Sequence, residues 1–559
     1  MASSFALRRL HMRGKGGLCK CLQKVDTFLH RTIGTNAVGR CGSLHAVQAE
    51  RLEQAQRSIL ISCYSRPTEK KFLKYLSRHG DVKKYFFYES YGVYAVVEFA
   101  NRDGVASLLE EAVIPSVSNE ALVPFKSRLL SLKNLSSVDS NQQSGLQCQP
   151  QTSIPINQLI QRLSREESID QQVVSLTETY QLTDENIRLR FLVCSLLQDI
   201  AAAYFPECTI KPFGSSVNGF GKLGCDLDMI LDLDGISGGK PKSVLSLEFQ
   251  LKRANSERAV TQSILSVIGE CVDQFGPGCV GVQKILNARC PLLRFAHQPS
   301  GFQCDLTASN RVAIKSTELL YLYGELDPRV RSLVFTVRCW ARTHGITSGI
   351  PGAWITNFSL TIMVLFFLQK RSPPIIPTLD HLAELAGSAD KCVIEGNDCT
   401  FVIDISKIQL QSNTETLEHL LREFFEFYAT FAFSKMSINI RKGKEQNKPE
   451  VAPLHIQNPF ETSLNISKNV NATQLDRFVA LCQESLWLLQ QSGTNTPRVG
   501  NRSNTATPWG LATLLLPSQV AGVKSRKKRR REPASERIKG LLDSLKNNSQ
   551  PKKRKKNTK

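Results

Sequence analysis

The residues of this 559-residue chain best suited to chemistry run from Phe213 to Asp228: Phe-Gly-Ser-Ser-Val-Asn-Gly-Phe-Gly-Lys-Leu-Gly-Cys-Asp-Leu-Asp. Asp226 and Asp228 stand two apart in a run that reads as a strand, so both point to one face. Two carboxylates side by side repel unless a cation neutralises them. Gly214-Ser215, just upstream, reads as a turn whose backbone N–H groups and hydroxyl suit a phosphate. The combination calls for Mg²⁺ and a nucleoside triphosphate at one place. A P-loop is excluded. Gly214 and Gly219 have its spacing, but Phe220 stands where Lys is required, and Gly221-Lys222 is followed by Leu223.

The acidic pair needs a third member, and Asp305 in the strand-like run Phe302–Thr307 supplies it. Three carboxylates can hold two Mg²⁺ ions ~3.5–4 Å apart, one activating an attacking oxygen and one steadying a leaving phosphate. Asp232 and Asp234 share the parity of the first pair but sit near the strand end and read as solvated or loop-facing.

The elements that position these residues follow from pattern. Residues 157–204 are helical in period, with Leu189, Leu192 and Leu196 on one stripe. Residues 205–315 alternate strand-like runs with loops, and the polar stretch 235–258 reads as an insertion or mobile loop. Residues 316–490 are mostly helical. Their most apolar run, Leu360–Leu368, is less than half the ~20 residues a membrane span needs and reads as a buried helix. Residues 50–130 show a strand-helix-strand-strand-helix order, and 131–156 read as a Ser/Asn/Gln-rich linker. Residues 491–559 are polar, then polybasic, and are expected to be disordered.

The net charge of +21 is concentrated at the ends. Residues 1–25 hold six Lys/Arg and no acid; residues 524–559 hold sixteen Lys/Arg against three acids. The body is close to neutral, so nucleic acid binding there needs a local groove, whereas the tail suits non-specific phosphate contacts. Residues 1–45, with Arg8, Arg9 and Arg13 among Phe5, Leu7 and Leu10, match a mitochondrial targeting sequence. Lys524–Arg531 and Lys552–Lys556 resemble nuclear signals and keep that location as the alternative. The sixteen cysteines include no C-x-x-C pair and read as reduced core residues.

Gly214-Ser215, ten residues, then Asp226-Leu-Asp228 resembles the signature of the DNA polymerase β-like nucleotidyltransferases. Val337-Arg-Cys-Trp-Ala-Arg342, Leu454-His-Ile-Gln-Asn-Pro-Phe-Glu461 and Ser467-Lys-Asn-Val470 narrow the resemblance to the terminal nucleotidyltransferase family of poly(A) polymerases and uridylyltransferases, with its mitochondrial poly(A)-adding members as the nearest match. Residues 50–130 are similar to an RNA recognition motif with a degraded stacking platform: Tyr94 keeps one aromatic, while Val96 and Leu60 replace others. Base stacking and a scaffold or self-association role both stay open for that sheet.

The resemblance implies an α+β fold: a palm of mixed sheet and helices, a helical lobe, and the RNA-recognition-like domain ahead of them. It implies polyadenylation of RNA 3′ ends in the mitochondrial matrix, using ATP and Mg²⁺ or Mn²⁺, with no membrane insertion. Asp226, Asp228 and Asp305 would be catalytic and hold metal. Gly214 and Ser215 would meet the triphosphate, Asn310 the ribose, Arg338 and Arg342 the outer phosphates, and Asn357 and Phe358 the base-stacking position. Asn458 and Lys468 would read the base; Lys468 replaces a His of uridine-selective relatives, which favours ATP. A homodimer through residues 50–130 is implied as well. A uridylyltransferase and an inactive RNA-binding scaffold are the alternatives.

Overall fold

The computed structural model describes residues 43–63, 68–113, 126–132, 147–232, 256–308, 310–350, 352–492 and 507–518. The expected targeting segment up to residue 42, most of the 235–258 stretch read as an insertion and both basic clusters of the tail lie outside the described residues.

The N-terminal unit runs α1 (Leu44–Gln56), β1 (Ser58–Cys63), α2 (Glu69–Leu76), β2 (Val82–Glu89), β3 (Val93–Phe99), α3 (Asp103–Glu111), β4 (Leu129–Leu132) and β5 (Cys148–Gln149). Its sheet has the order β4-β1-β3-β2-β5. The last two strands are a correction to the linker reading of 131–156. The end of β4 (Ser131 and Leu132) and the two residues of β5 come from that segment and add to the sheet edges, where exposed N–H and C=O groups take up a partner.

Helices α4 (Ile156–Leu163), α5 (Ile169–Tyr180) and α6 (Asp184–Ala201) lead into the palm: β6 (Thr209–Pro212), β7 (Leu227–Asp232), α7 (Glu257–Phe275), β8 (Cys279–Ile285), β9 (Leu292–His297) and β10 (Phe302–Thr307). The palm sheet has the order β6-β7-β10-β9-β8. Only the β7/β10 pair is parallel; the others are antiparallel. Thr183 caps α6 by accepting from the Asn186 N–H, and Ser256 caps α7 the same way.

The helical lobe holds α8 (Arg311–Leu326), α9 (Pro328–Thr343), α10 (Asn357–Gln369), α11 (Leu379–Glu384), α12 (Leu417–Thr430) and α13 (Ala472–Ser492). Asp327 caps α9, whose first residue is Pro328. Leu360–Leu368 is the buried centre of α10, as its all-round apolar character requires.

The tail reading needs a correction. Within it, α14 (Leu511–Leu514) packs back on the helical lobe, with Leu511, Ala512, Leu514 and Leu515 buried. Trp509 Nε1 donates to the Ser164 carbonyl (3.2 Å), and the Gln172 side chain bonds both the Trp509 carbonyl and the Leu511 N–H. The run Trp-Gly-Leu-Ala-Thr-Leu-Leu-Leu is apolar enough to leave water despite its polar surroundings.

The N-terminal sheet is covered on both faces. One face packs Ile59, Ile61, Phe87, Ala95 and Val97 against α2 and α3. The other, the face that stacks bases in an RNA recognition motif, places Leu60, Phe86, Tyr88 and Val96 in one core with Leu189, Leu192 and Val193 of α6. Tyr88 and Tyr94 stack on each other at 5.7 Å, and Tyr88 donates its hydroxyl to the Pro299 carbonyl at 2.8 Å. Polar contacts frame the seam: Glu98 accepts from Arg57 and from Arg188 of α6, and Asp184 accepts from Arg51, Lys84 and Arg188. Base stacking on this face is excluded because the palm already occupies it.

Replacing Leu60 with Lys tests this directly. An uncompensated buried charge costs about 3–5 kcal/mol, so thermal unfolding of the catalytic lobe should shift down with the N-terminal domain. An unchanged melting temperature would mean the face is open.

Candidate active site

The local geometry begins with the strand register. In the parallel β7/β10 pair Asp228 lies directly opposite Asp305. Leu227, Met229 and Leu231 turn into the core beneath, which sends Asp228 to the other face. Asp226 precedes the strand by one residue. The Gly-Ser turn is a single 3₁₀ turn, Gly214–Ser216, hung on the same strand: the Phe213 N–H donates to the Asp228 carbonyl. Gly214 has φ +62°, and a Cβ there would stand 3.3 Å from Asp228 Oδ2. Its N–H donates to Thr317 Oγ1 of α8 (3.0 Å), tying the turn to the helical lobe. Gly221 is equally constrained, since a Cβ would come within 2.1 Å of the Ser215 carbonyl oxygen.

The electrostatics are strained in one direction. Burial, and then the charges of Asp305 and Asp226, push the Asp228 carboxyl up to about 6. Asp226 is raised as well, by burial and then Asp305. Asp305 gives both oxygens to Arg294, its cross-strand neighbour on β9, at 2.8 and 2.6 Å. Among the described residues no three acidic, His or Cys side chains already form a metal cage. The donor set nevertheless fits a hard cation: all-oxygen ligands, two of them raised by burial and by the charge of Asp305. Asp305 would join them by sharing its oxygens with Arg294 or turning from it.

Beside the carboxylates, at the Gly214 edge, opens a cleft of about 480 Å³ between palm and helical lobe. Gly214, Ser215, Asn310, Arg338, Arg342, Asn357, Phe358 and Asn458 all line it. Ser215 Oγ contacts Cys225 Sγ at 3.5 Å. Asn310 stands at the N-cap position of α8. Arg342 is exposed at the cleft. Arg338 is instead tied down: its guanidinium donates to the Phe220 carbonyl (2.8 Å), the Asn357 carbonyl (3.2 Å) and Thr361 Oγ1 (2.5 Å). It braces the cleft wall more than it faces a free anion. Phe358 is half-buried and packs partly on the helical core. The Asn458 side-chain oxygen Oδ1 accepts the N–H groups of Phe460 and Glu461. Lys468 is exposed and does not line the cleft, which moves base contact away from it.

Four residues escaped the sequence reading. Lys222 lines the cleft, its amine shifted down by burial and then by Arg342. Its position is fixed by a bridge to Gln181, a contact no local pattern reveals. Glu461 lines the cleft beside Asn458. Arg294 is the residue opposite Asp305. Arg190 carried a readable signal, a charge inside the apolar stripe of α6.

The raised Asp228 carboxyl has a measurable consequence without metal. Its folded-state value lies above the ordinary 3.8, so ionisation between about pH 4 and 6 costs the fold stability. In EDTA, Asp228→Asn should melt above the parent protein at pH 8, and the gap should narrow below pH 6 and close near pH 4. A gap independent of pH would contradict this.

A family model described as "Poly(A) RNA polymerase, mitochondrial-like, central palm domain" matches residues 169–325, and an RL domain model matches residues 43–113. The chain is 60% identical over 508 residues to "Poly(A) RNA polymerase, mitochondrial" of Mus musculus, covering 90% of this chain and 86% of that protein. It is 59% identical to the protein of the same description from Homo sapiens, with the same coverage of both chains. The crystal structure of mtPAP in complex with ATPγS superimposes with a TM-score of 0.78 at 54% identity, covering 85% of this chain and all of that one. Crystal structures of mtPAP with UTP, CTP and GTP match as well. The chain belongs to the mitochondrial poly(A) RNA polymerase family.

Proposed function

We propose that this chain polyadenylates RNA 3′ ends in the mitochondrial matrix, without a template, using ATP. The observation that carries the reading is the β7/β10 register, which sets Asp228 against Asp305 beside a glycine turn and a basic cleft. The RNA 3′-hydroxyl, its proton passing to water or a neighbouring carboxylate, attacks the α-phosphorus of ATP through its oxygen. One P–O bond forms to the 3′-oxygen, the bond between α-phosphorus and bridging oxygen breaks, and pyrophosphate leaves. Asp226, Asp228 and Asp305 are the residues that would hold divalent metal, Mg²⁺ or Mn²⁺, which when bound lowers the pKa of the 3′-hydroxyl and neutralises the departing charge.

The rest is positioning by this chain's own groups. Ser215 faces the triphosphate from a turn whose Gly214 N–H is held by Thr317, with Lys222 and Arg342 as the cations at that end. Asn310 is placed for the ribose, and Phe358 offers a ring face to the base. Asn458 and Glu461 stand at the base end. Since mtPAP has been crystallised with ATPγS, UTP, CTP and GTP, occupancy of such a cleft does not by itself define the nucleotide that reacts.

Residues 1–45 would act as the targeting sequence, and the basic tail as a phosphate-binding tether. A homodimer would form through the outer surface of the 50–130 domain, since its inner face is already buried.

Primer extension tests the reading. The chain lacking residues 1–45 is given a short RNA, Mg²⁺ or Mn²⁺, and each NTP alone. Long products should form with ATP, and Asp228→Ala should lower the rate by on the order of 10³-fold. Lys468→Ala should leave the ATP-to-UTP preference unchanged. Extension chiefly with UTP, or an active Asp228→Ala protein, would refute the assignment.

A further inference from the structure

Arg190 is wholly buried on α6, yet it has no place in the metal, nucleotide or base contacts described above. Its hydrogen bonds go to neutral acceptors. Nε donates to Asn186 Oδ1 (2.8 Å), one turn earlier on the same helix. Nη1 donates to Ser216 Oγ (2.9 Å) and to the Asp226 carbonyl (2.9 Å). Nη2 donates to the Cys225 carbonyl (2.8 Å). The guanidinium also lies over the ring of Phe302, 4.6 Å from its centre.

These contacts reach three separate pieces of chain. Ser216 closes the 3₁₀ turn that carries Gly214 and Ser215. Cys225 and Asp226 are the approach to β7, and Phe302 begins β10, three residues before Asp305. A buried cation is expensive, and an apolar side chain of similar volume would pack α6 at lower cost. It would leave two carbonyls and a hydroxyl without donors. Only a planar fork with five N–H groups reaches all of them at once; a lysine ammonium has three donors and no plane.

We infer that Arg190 is a positioning residue for the transfer reaction: it sets the Gly-Ser turn and the Asp226 backbone in one fixed relation, so that the phosphate side and the metal side of the site arrive preassembled. The inference rests on the nucleotidyltransferase reading for the identity of the two sides. It differs from a purely structural role in what it predicts. A structural arginine affects melting alone. A positioning arginine changes metal affinity and kcat in a protein that remains folded.

The test uses the full chain with Arg190→Lys, Ser216→Ala and the double variant. Free Mn²⁺ is followed by electron paramagnetic resonance, and kcat and KM for ATP by primer extension. Arg190→Lys should keep a cooperative melt, lose about 10–100-fold in Mn²⁺ affinity, the usual cost of removing a group that orients ligands, and lower kcat more than it raises KM. Ser216→Ala breaks only the link to the turn. It should raise KM for ATP several-fold at unchanged Mn²⁺ affinity, and should add nothing further in the Arg190→Lys background. Parental Mn²⁺ affinity and kcat in folded Arg190→Lys would overturn the inference, as would effects of the two substitutions that simply multiply. If Arg190→Lys does not fold, Ser216→Ala alone decides, and an unchanged KM overturns the inference. A parent protein that binds Mn²⁺ but extends no RNA would refute the functional reading instead, and the Mn²⁺ titrations would still judge Arg190.

Discussion

Three carboxylates on neighbouring strands, half out of water, impose the constraint around which the structure is arranged. Asp228 and Asp305 face each other in the β7/β10 register, and Asp226 adds its charge from the strand approach. The fold meets that repulsion with fixed cations. Arg294 grips Asp305 from the next strand, and Arg190 sits beneath the Asp226 backbone from the helix below. Neither cation satisfies Asp228, whose carboxyl is left well above its usual range. A divalent cation would relieve the crowding of these carboxylates.

The same logic explains the placing of the other parts. The glycine turn hangs from β7 by the Phe213 N–H and from the helical lobe by the Thr317 hydroxyl, so its distance to Asp228 is fixed from two sides. Arg338 bonds the palm at Phe220 and helix α10 at Thr361, and so holds the two walls of the cleft together. The N-terminal domain presses its sheet on α6, the helix that carries Arg190. The aromatics of that strand face, Phe86, Tyr88 and Tyr94, are spent on packing against α6 and the palm instead of standing open to bases.

Much of this was legible in the sequence because it is local. The Asp-x-Asp parity, the required glycine and the apolar α10 core all follow from spacing. The third carboxylate was found by chemistry: two carboxylates asked for another, and Phe302–Thr307 was the strand-like run that offered one. What escaped depends on contacts between distant segments. Lys222 reads as a failed P-loop lysine until Gln181 pairs with it. Arg294 acquires meaning only when β9 is laid beside β10. The covered N-terminal sheet did leave a trace. Ile59-Leu60-Ile61 and Ala95-Val96-Val97 are apolar at consecutive positions, and a strand with one open face would alternate. The tail was misread because its average composition hid one apolar octapeptide.

The central claim is that Asp226, Asp228 and Asp305 act as one metal-binding set, with Arg294 holding the third member until metal and nucleotide arrive. Anomalous diffraction from a crystal grown with Mn²⁺ and a non-hydrolysable ATP analogue tests it most directly. The account predicts Mn²⁺ peaks within bonding distance of all three carboxylates, with Asp305 shared with Arg294 or turned from it. Mn²⁺ held by Asp226 and Asp228 while Asp305 stays on Arg294 beyond bonding distance of the metal would contradict it.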